Sequence, residues 1–234
     1  PPGGCVELRV EGLSLSAAAF ANLHERQRAD LVVRVEREGE VLCREVRPVD
    51  VLAYNEWPGL SPLPALLAAF VLPNHPVFPA VLGVVADRLG ARTGSAALDG
   101  YQSGDRGRAR AAVQAVYEAL CAMRIRYVSP PPSFERTGQK VRTPEQVVGE
   151  RFGTCLDLVL CAAALLERIG LDPLVVVQRD HAFVGAWLHG GSTVEVETGP
   201  ALELRKACAA GALAVFECTS ACTVPPPPFA RAAA

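Results

Sequence analysis

Cys155 stands where a thiol can be made reactive. It follows Gly153-Thr154 and opens a run in which Leu156, Val159, Leu160, Ala163, Leu166 and Ile169 recur with helical spacing. Thr154 reads as the N-cap of that helix, and Asp157 completes a Thr-x-x-Asp capping box. Gly170 and Pro173 end it. A sulfur in the first turn meets unpaired N–H groups and the positive end of the helix dipole. Both stabilise a thiolate, and the same N–H groups can receive the oxyanion of an acyl-transfer intermediate. Gly153 lets the backbone turn tightly beside the sulfur.

A thiol nucleophile needs a base within hydrogen-bond reach. Leu174 to Val177 reads as a buried strand, Gln178-Arg179-Asp180 as a turn, and His181 to Leu188 as the next strand. A histidine at the first position of a core strand can face a neighbouring helix start, so His181 is the candidate base. A third group should orient its ring. Two acids close strand-like runs near a threonine: Glu197 in residues 194–198 and Glu217 in residues 213–219. Spacing alone leaves the two open. A plainer role also fits, because helix cysteines and core histidines are often buried for packing alone. His24, His75 and His189 fall in polar or loop-like stretches and read as surface residues.

These side chains need a scaffold, and the pattern supplies two kinds. Residues 5–54 read as β: Val6 to Val10, Leu31 to Val35 and Val41 to Val46 alternate apolar and polar, Glu38-Gly39 is a turn, and Val49 to Tyr54 could add a strand. After Trp57-Pro58-Gly59 the pattern turns helical. Helices are expected from Ser61-Pro62 through Phe70, over Ala80 to Leu89 with Gly90 as the stop, and over Arg108 to Met123. Ile125 to Val128 is strand-like, and Thr143-Pro144-Glu145-Gln146 opens a short capped helix. The loop from Val128 to Arg142 precedes the Cys155 helix and is a candidate cover for a cleft.

Half of the 234 residues are hydrophobic, enough for a sizeable core. The net charge of -2 and the scattered basic residues disfavour direct nucleic-acid or anionic-membrane binding. No apolar run has the length of a membrane span. Eight cysteines in a long apolar chain read as reduced thiols, hence a cytoplasmic setting. Cys218 and Cys222 lack the second ligand pair that a zinc site requires. Pro1-Pro2-Gly3-Gly4 and Pro225 to Pro228 both read as linkers of a longer protein.

Residues 143–148, Gly153 to Asp157, Leu165 to Pro173 and His181 to Trp187 together resemble the transglutaminase-like superfamily. That superfamily combines a Gly-x-Cys helix start, a helix ending in Gly and a His-Ala-Trp-like strand. Its Cys, His and later acid form a triad on a papain-like core. A closer resemblance, over about Leu31 to Thr219, is to an N-terminal domain of unknown function in large bacterial proteins. Those proteins carry helicase and nuclease modules and are associated with defence against phage. The resemblance includes Tyr54 to Trp57 and Leu98 to Gly104, and it favours Glu217 over Glu197 as the third member. Two departures stand out. Glu replaces the usual Asp, although either carboxylate can hold the imidazole tautomer. Ala182-Phe183 follows His181 where Ala-Trp is usual, with Trp187 coming later. Gln139 is a candidate oxyanion-hole side chain, against the plainer reading of a loop residue.

The resemblance implies an α+β fold, with helices packed on an antiparallel sheet in a transglutaminase-like, papain-like core. The expected division is a β-sandwich-like module over residues 1–58, a cysteine peptidase domain over 59–224, and a linker or tail over 225–234. The expected activity is cleavage of a peptide or isopeptide bond in a protein substrate, or transamidation where an amine replaces water. No cofactor or metal is implied. A helicase or nuclease module in the same or a partner chain is the expected associate. The alternative is a catalytically silent module that regulates such a partner.

Overall fold

A computed structural model describes residues 16–61, 63–191 and 201–233. The expected strand Val6 to Val10, Cys5 and the reserve acid Glu197 lie outside the described residues. The contacts divide the chain into two compact units, Pro1–Tyr54 and Asn55–Ala234.

In the first unit a short helix, α1 (Ala17–Ala21), precedes β1 (Gln27–Arg37) and β2 (Glu40–Val51). The two strands form an antiparallel hairpin, with Leu31 opposite Arg47 and Val33 opposite Glu45. Glu38 and Gly39 both adopt positive φ, 52° and 88°. That is the two-residue turn whose twist suits a hairpin. The runs at 41–46 and 49–51 belong to one strand, because β2 stays paired with β1 throughout. Among the described residues this unit holds one two-stranded sheet rather than a sandwich.

The second unit is mixed α and β. β3 (Glu56–Trp57) leads to a 3-10 turn (Pro64–Phe70), then to α2 (Phe78–Thr93) and α3 (Arg106–Met123). β4 (Arg126–Tyr127), α4 (Phe134–Thr137), β5 (Gln139–Lys140), α5 (Pro144–Glu150) and β6 (Phe152–Gly153) are short. They lead into α6 (Cys155–Arg168), β7 (Pro173–Gln178) and β8 (His181–Trp187). α7 (Ala201–Ala209), β9 (Leu213–Phe216), a 3-10 turn (Cys218–Cys222) and α8 (Phe229–Ala232) complete it. β7, β8 and β9 form an antiparallel sheet with β8 in the centre, β3 pairs with β5 antiparallel, and β4 pairs with β6 in parallel.

α6 is the centre of the core: every residue from Cys155 to Leu166 is buried. A helix apolar on all sides must be packed on all sides. β7 and β8 cover one side, and α3, α5 and the Cys218–Cys222 turn cover others.

Two expectations are corrected, and the candidate cover is located. Gly90 does not end α2; the helix runs on to Thr93, and Gly94 with φ 78° is the stop. At Gly90 the missing Cβ instead admits Ala96, which would lie 3.2 Å from it. The loop at 128–142, the candidate cover, is tied to the β7–β8 turn. Asp180 Oδ1 accepts the Ser133 N–H at 2.7 Å, Glu135 Oε2 accepts the Asp180 N–H at 3.2 Å, and Phe134 is fully buried. Finally, the segment read as a tail belongs to the core. Phe229 packs against Tyr117 and Phe216 at centroid distances of 5.7 and 5.9 Å, because an aromatic ring after a proline run has apolar area to bury.

Candidate active site

The start of α6 is fixed by a buried polar cluster. Thr154 Oγ1 accepts the Asp157 N–H at 3.3 Å, and Asp157 Oδ2 accepts the Thr154 N–H at 2.8 Å, the expected capping box. Asp157 does more than the sequence suggests. Fully buried, it also accepts the Arg142 N–H at 2.8 Å and the Arg142 guanidinium at 3.0 Å. Arg142 in turn lies 4.4 Å above the Phe152 ring. Gln139 donates from Nε2 to Thr154 Oγ1 at 3.1 Å. It therefore braces the cap; among the described residues its Oε1 and the Nε1 of Trp57, opposite it on β3, are buried without a hydrogen-bond partner. Gly153 has an ordinary φ; a Cβ there would lie 3.2 Å from that of Asp157, so the glycine makes room for the cap acid rather than a tight turn.

This cluster aims the first turn of α6 at β8. The backbone N–H groups of Ala182 and Leu156 lie close enough to the Cys155 sulfur to lower its pKa. Ala182 is the residue after His181, so the sulfur sits against the start of that strand. His181 pairs with Gln178 across the β7–β8 turn, where Asp180 has φ 57°. Its Nε2 is hydrogen-bonded to Glu217 Oε2.

Glu217 follows β9 and is held on every side. Its Oε1 accepts both the N–H and the hydroxyl of Thr219 at 2.8 Å. Its own N–H donates to the Ala232 carbonyl at 2.8 Å. Tyr117 donates to the Pro227 carbonyl at 2.8 Å and touches Ser220 Oγ at 3.3 Å, so one phenol ties together the turn after Glu217 and the C-terminal segment. Burial pushes that phenol up to about 12.

The structure thus brings His181 and Glu217 into contact and sets Cys155 against Ala182. Among the described residues no hydrogen bond joins the sulfur to the ring itself, and His181 Nδ1 makes none. The thiol also differs from the sequence expectation. Burial pushes it above its ordinary range, the Ala182 and Leu156 N–H groups pull it down, and Glu217 and Asp157 push it up again. The N–H groups lower the thiol pKa, but the desolvation of a sulfur with no exposed surface outweighs them. The thiol rests neutral.

Sequence reasoning missed Tyr127, whose hydroxyl is pushed up by burial and by the nearby Cys155 and Glu217. It also missed Arg142, the charge partner of Asp157. A Tyr before a proline run and an Arg before a capped helix carry no signal that places them at a thiol. His189 lies against Trp187, with centroids 6.2 Å apart. The seven described cysteines are free thiols. No helix among the described residues is long and apolar enough to cross a membrane. Comparison with protein-family models, with curated proteins and with solved structures gives no significant match.

Proposed function

We propose that the second unit is a transglutaminase-like, papain-like cysteine hydrolase with Cys155, His181 and Glu217 as its triad. The observation that carries this reading is the His181–Glu217 hydrogen bond at the strand whose next residue has its N–H close to the Cys155 sulfur. An imidazole engaged by a carboxylate through Nε2 keeps Nδ1 for the thiol, and the carboxylate stabilises the imidazolium that forms.

In this scheme a peptide or isopeptide carbonyl approaches the sulfur. His181 takes the thiol proton as Cys155 Sγ bonds to the carbonyl carbon. The tetrahedral oxyanion collapses, the C–N bond breaks, and the imidazolium returns its proton to the leaving amine. Water then adds to the thioester, giving a carboxylic acid and the free thiol; an amine in its place gives transamidation. A neutral resting thiol suits this order, with proton transfer coupled to attack. The bacterial defence setting, with a helicase or nuclease module in the same or a partner chain, is part of the same proposal.

A catalytically silent regulatory module is the second reading, favoured by the buried neutral thiol. Cys155→Ala separates the two. The hydrolase reading expects loss of activity against a protein substrate, or of toxicity in a phage-defence assay, by more than about 10³-fold. An equally folded Cys155→Ala protein with full effect would leave the regulatory reading in place.

A further inference from the structure

The two strands of the hairpin have different outer edges. β2 carries Pro48, which has no N–H to offer, and the register shift after Val35 leaves Leu42 as an extra residue between Val41 and Cys43. A proline and a bulge both keep an edge strand from pairing. β1 has neither: its 11 residues contain no proline or glycine and run along β2 without an insertion. Among the described residues no strand lies along its other edge, and every β1 residue except the half-buried Ala29 is exposed. Alternation divides β1 into two faces. Ala29, Leu31, Val33 and Val35 share one; Arg28, Asp30, Val32, Arg34 and Glu36 share the other. The second row reads plus, minus, neutral, plus, minus. Run antiparallel to itself, it sets unlike charges opposite each other.

We propose that the outer edge of β1 binds β1 of a second copy of this chain, antiparallel about a two-fold axis at Val32. In that register Arg28 faces the partner's Glu36 and Asp30 faces the partner's Arg34, and the axis repeats both pairs. On the other face Ala29 meets the partner's Val35 and Leu31 meets the partner's Val33, so the apolar row continues across the junction. A two-fold interface demands this kind of self-complementarity. The neighbouring symmetric registers fail. An axis at Leu31 sets Arg28 against Arg34, and an axis at Val33 sets Asp30 against Glu36, with like charges in direct opposition. The pairing also brings Arg34 a cross-strand acid. Within the ribbon it lies opposite Arg44, and its ion pair at 2.9 Å is with Glu36 on its own strand. Joined in this way, two ribbons become one four-stranded sheet, and sheets of three or more strands with an apolar face are stable where an isolated ribbon is marginal. No residue of the thiol site takes part.

The test is sedimentation equilibrium of the full chain, under reducing conditions so that the exposed Cys43 thiol cannot crosslink two copies. The unaltered chain should dimerise with a dissociation constant below about 1 mM, as a small strand-edge interface allows. Asp30→Arg and Arg34→Asp each change an exposed side chain, and each sets like charges opposite one another at both copies of the pair. Either variant alone should dimerise at least about 10-fold more weakly. An equal mixture of the two should recover the dimer, because each chain then presents the charge that the other lacks. A chain that stays monomeric up to about 1 mM overturns the proposal; if its β1 amides nevertheless resist hydrogen exchange along both edges, the edge belongs to another segment of the same chain. A dimer undiminished by either variant belongs to another surface and overturns it equally, as does a mixture no tighter than its components.

Discussion

The β1–β2 hairpin and helix α6 both carry many apolar residues, the helix more densely, and they stand at opposite extremes of burial. Leu31, Val32, Val33, Val35, Val41 and Leu42 are all exposed. In α6, twelve consecutive residues are buried, including the carboxylate of Asp157. The difference lies in what each residue's backbone and neighbours can satisfy. A two-stranded ribbon pairs one edge of each strand and leaves both faces to other partners. A helix satisfies its own backbone and can be enclosed, provided its end groups are capped. Burial then makes every polar atom at the start of α6 consequential, and that is where Cys155 lies.

The largest expected effect is at Asp157. Asp157→Ala removes the acceptor for the Thr154 and Arg142 N–H groups and for the Arg142 guanidinium. Losing one member of a buried charge pair costs about 3–5 kcal/mol. Both tryptophans, Trp57 and Trp187, belong to the second unit. Urea unfolding followed by tryptophan fluorescence therefore reads that unit. A loss under about 1 kcal/mol would mean that the α6 cap is no more critical than an exposed one, and the contrast would fail at its strongest point.

Next comes Tyr117→Phe. It removes the hydrogen bond to the Pro227 carbonyl and the contact with Ser220. The expected cost is about 1 kcal/mol in the same fluorescence transition. Because Glu217 N–H donates to Ala232 in the segment that Tyr117 anchors, cleavage by trypsin at Arg231 should also become faster. An unaltered digestion pattern would show that Phe229 packing alone retains the segment.

What the sequence made legible follows the same division. The α6 start, its capping box and the position of His181 at the head of β8 were all readable, because caps and periodicity act within a few residues. The Glu217 environment was only half readable. Its candidacy came from an acid closing a strand-like run near a threonine, and its preference over Glu197 from a resemblance; its partners Thr219 and Ala232 come from a turn and a segment that proline content had marked as linker. The direction of the Cys155 shift was misjudged for the same physical reason. A helix dipole is visible in sequence, but the desolvation that outweighs it depends on what β8 and the Cys218–Cys222 turn bring over the sulfur. The end of α2 shows the limit for glycine: Gly90 and Gly94 are identical in type, and only the Ala96 contact and the φ of 78° tell their roles apart.

The smallest expected effect is in the hairpin. Leu31 is 51% exposed and lies opposite Arg47, which itself pairs with Glu45 on the same strand. Leu31→Ala removes little buried area, and its cross-strand pair is worth about 0.2–1 kcal/mol to the ribbon alone. The fluorescence transition should therefore stay within about 0.5 kcal/mol of the unaltered protein, as for most exposed positions. The hairpin's own loss should appear instead in amide hydrogen exchange across Val33 and Val46, which would become faster while exchange in α6 stays constant. A fluorescence shift above about 1 kcal/mol would mean that Leu31 is energetically part of the unit that carries Cys155. The exposed ribbon would then be a support of the site, and the contrast between the two regions would describe their surfaces without describing their energetics.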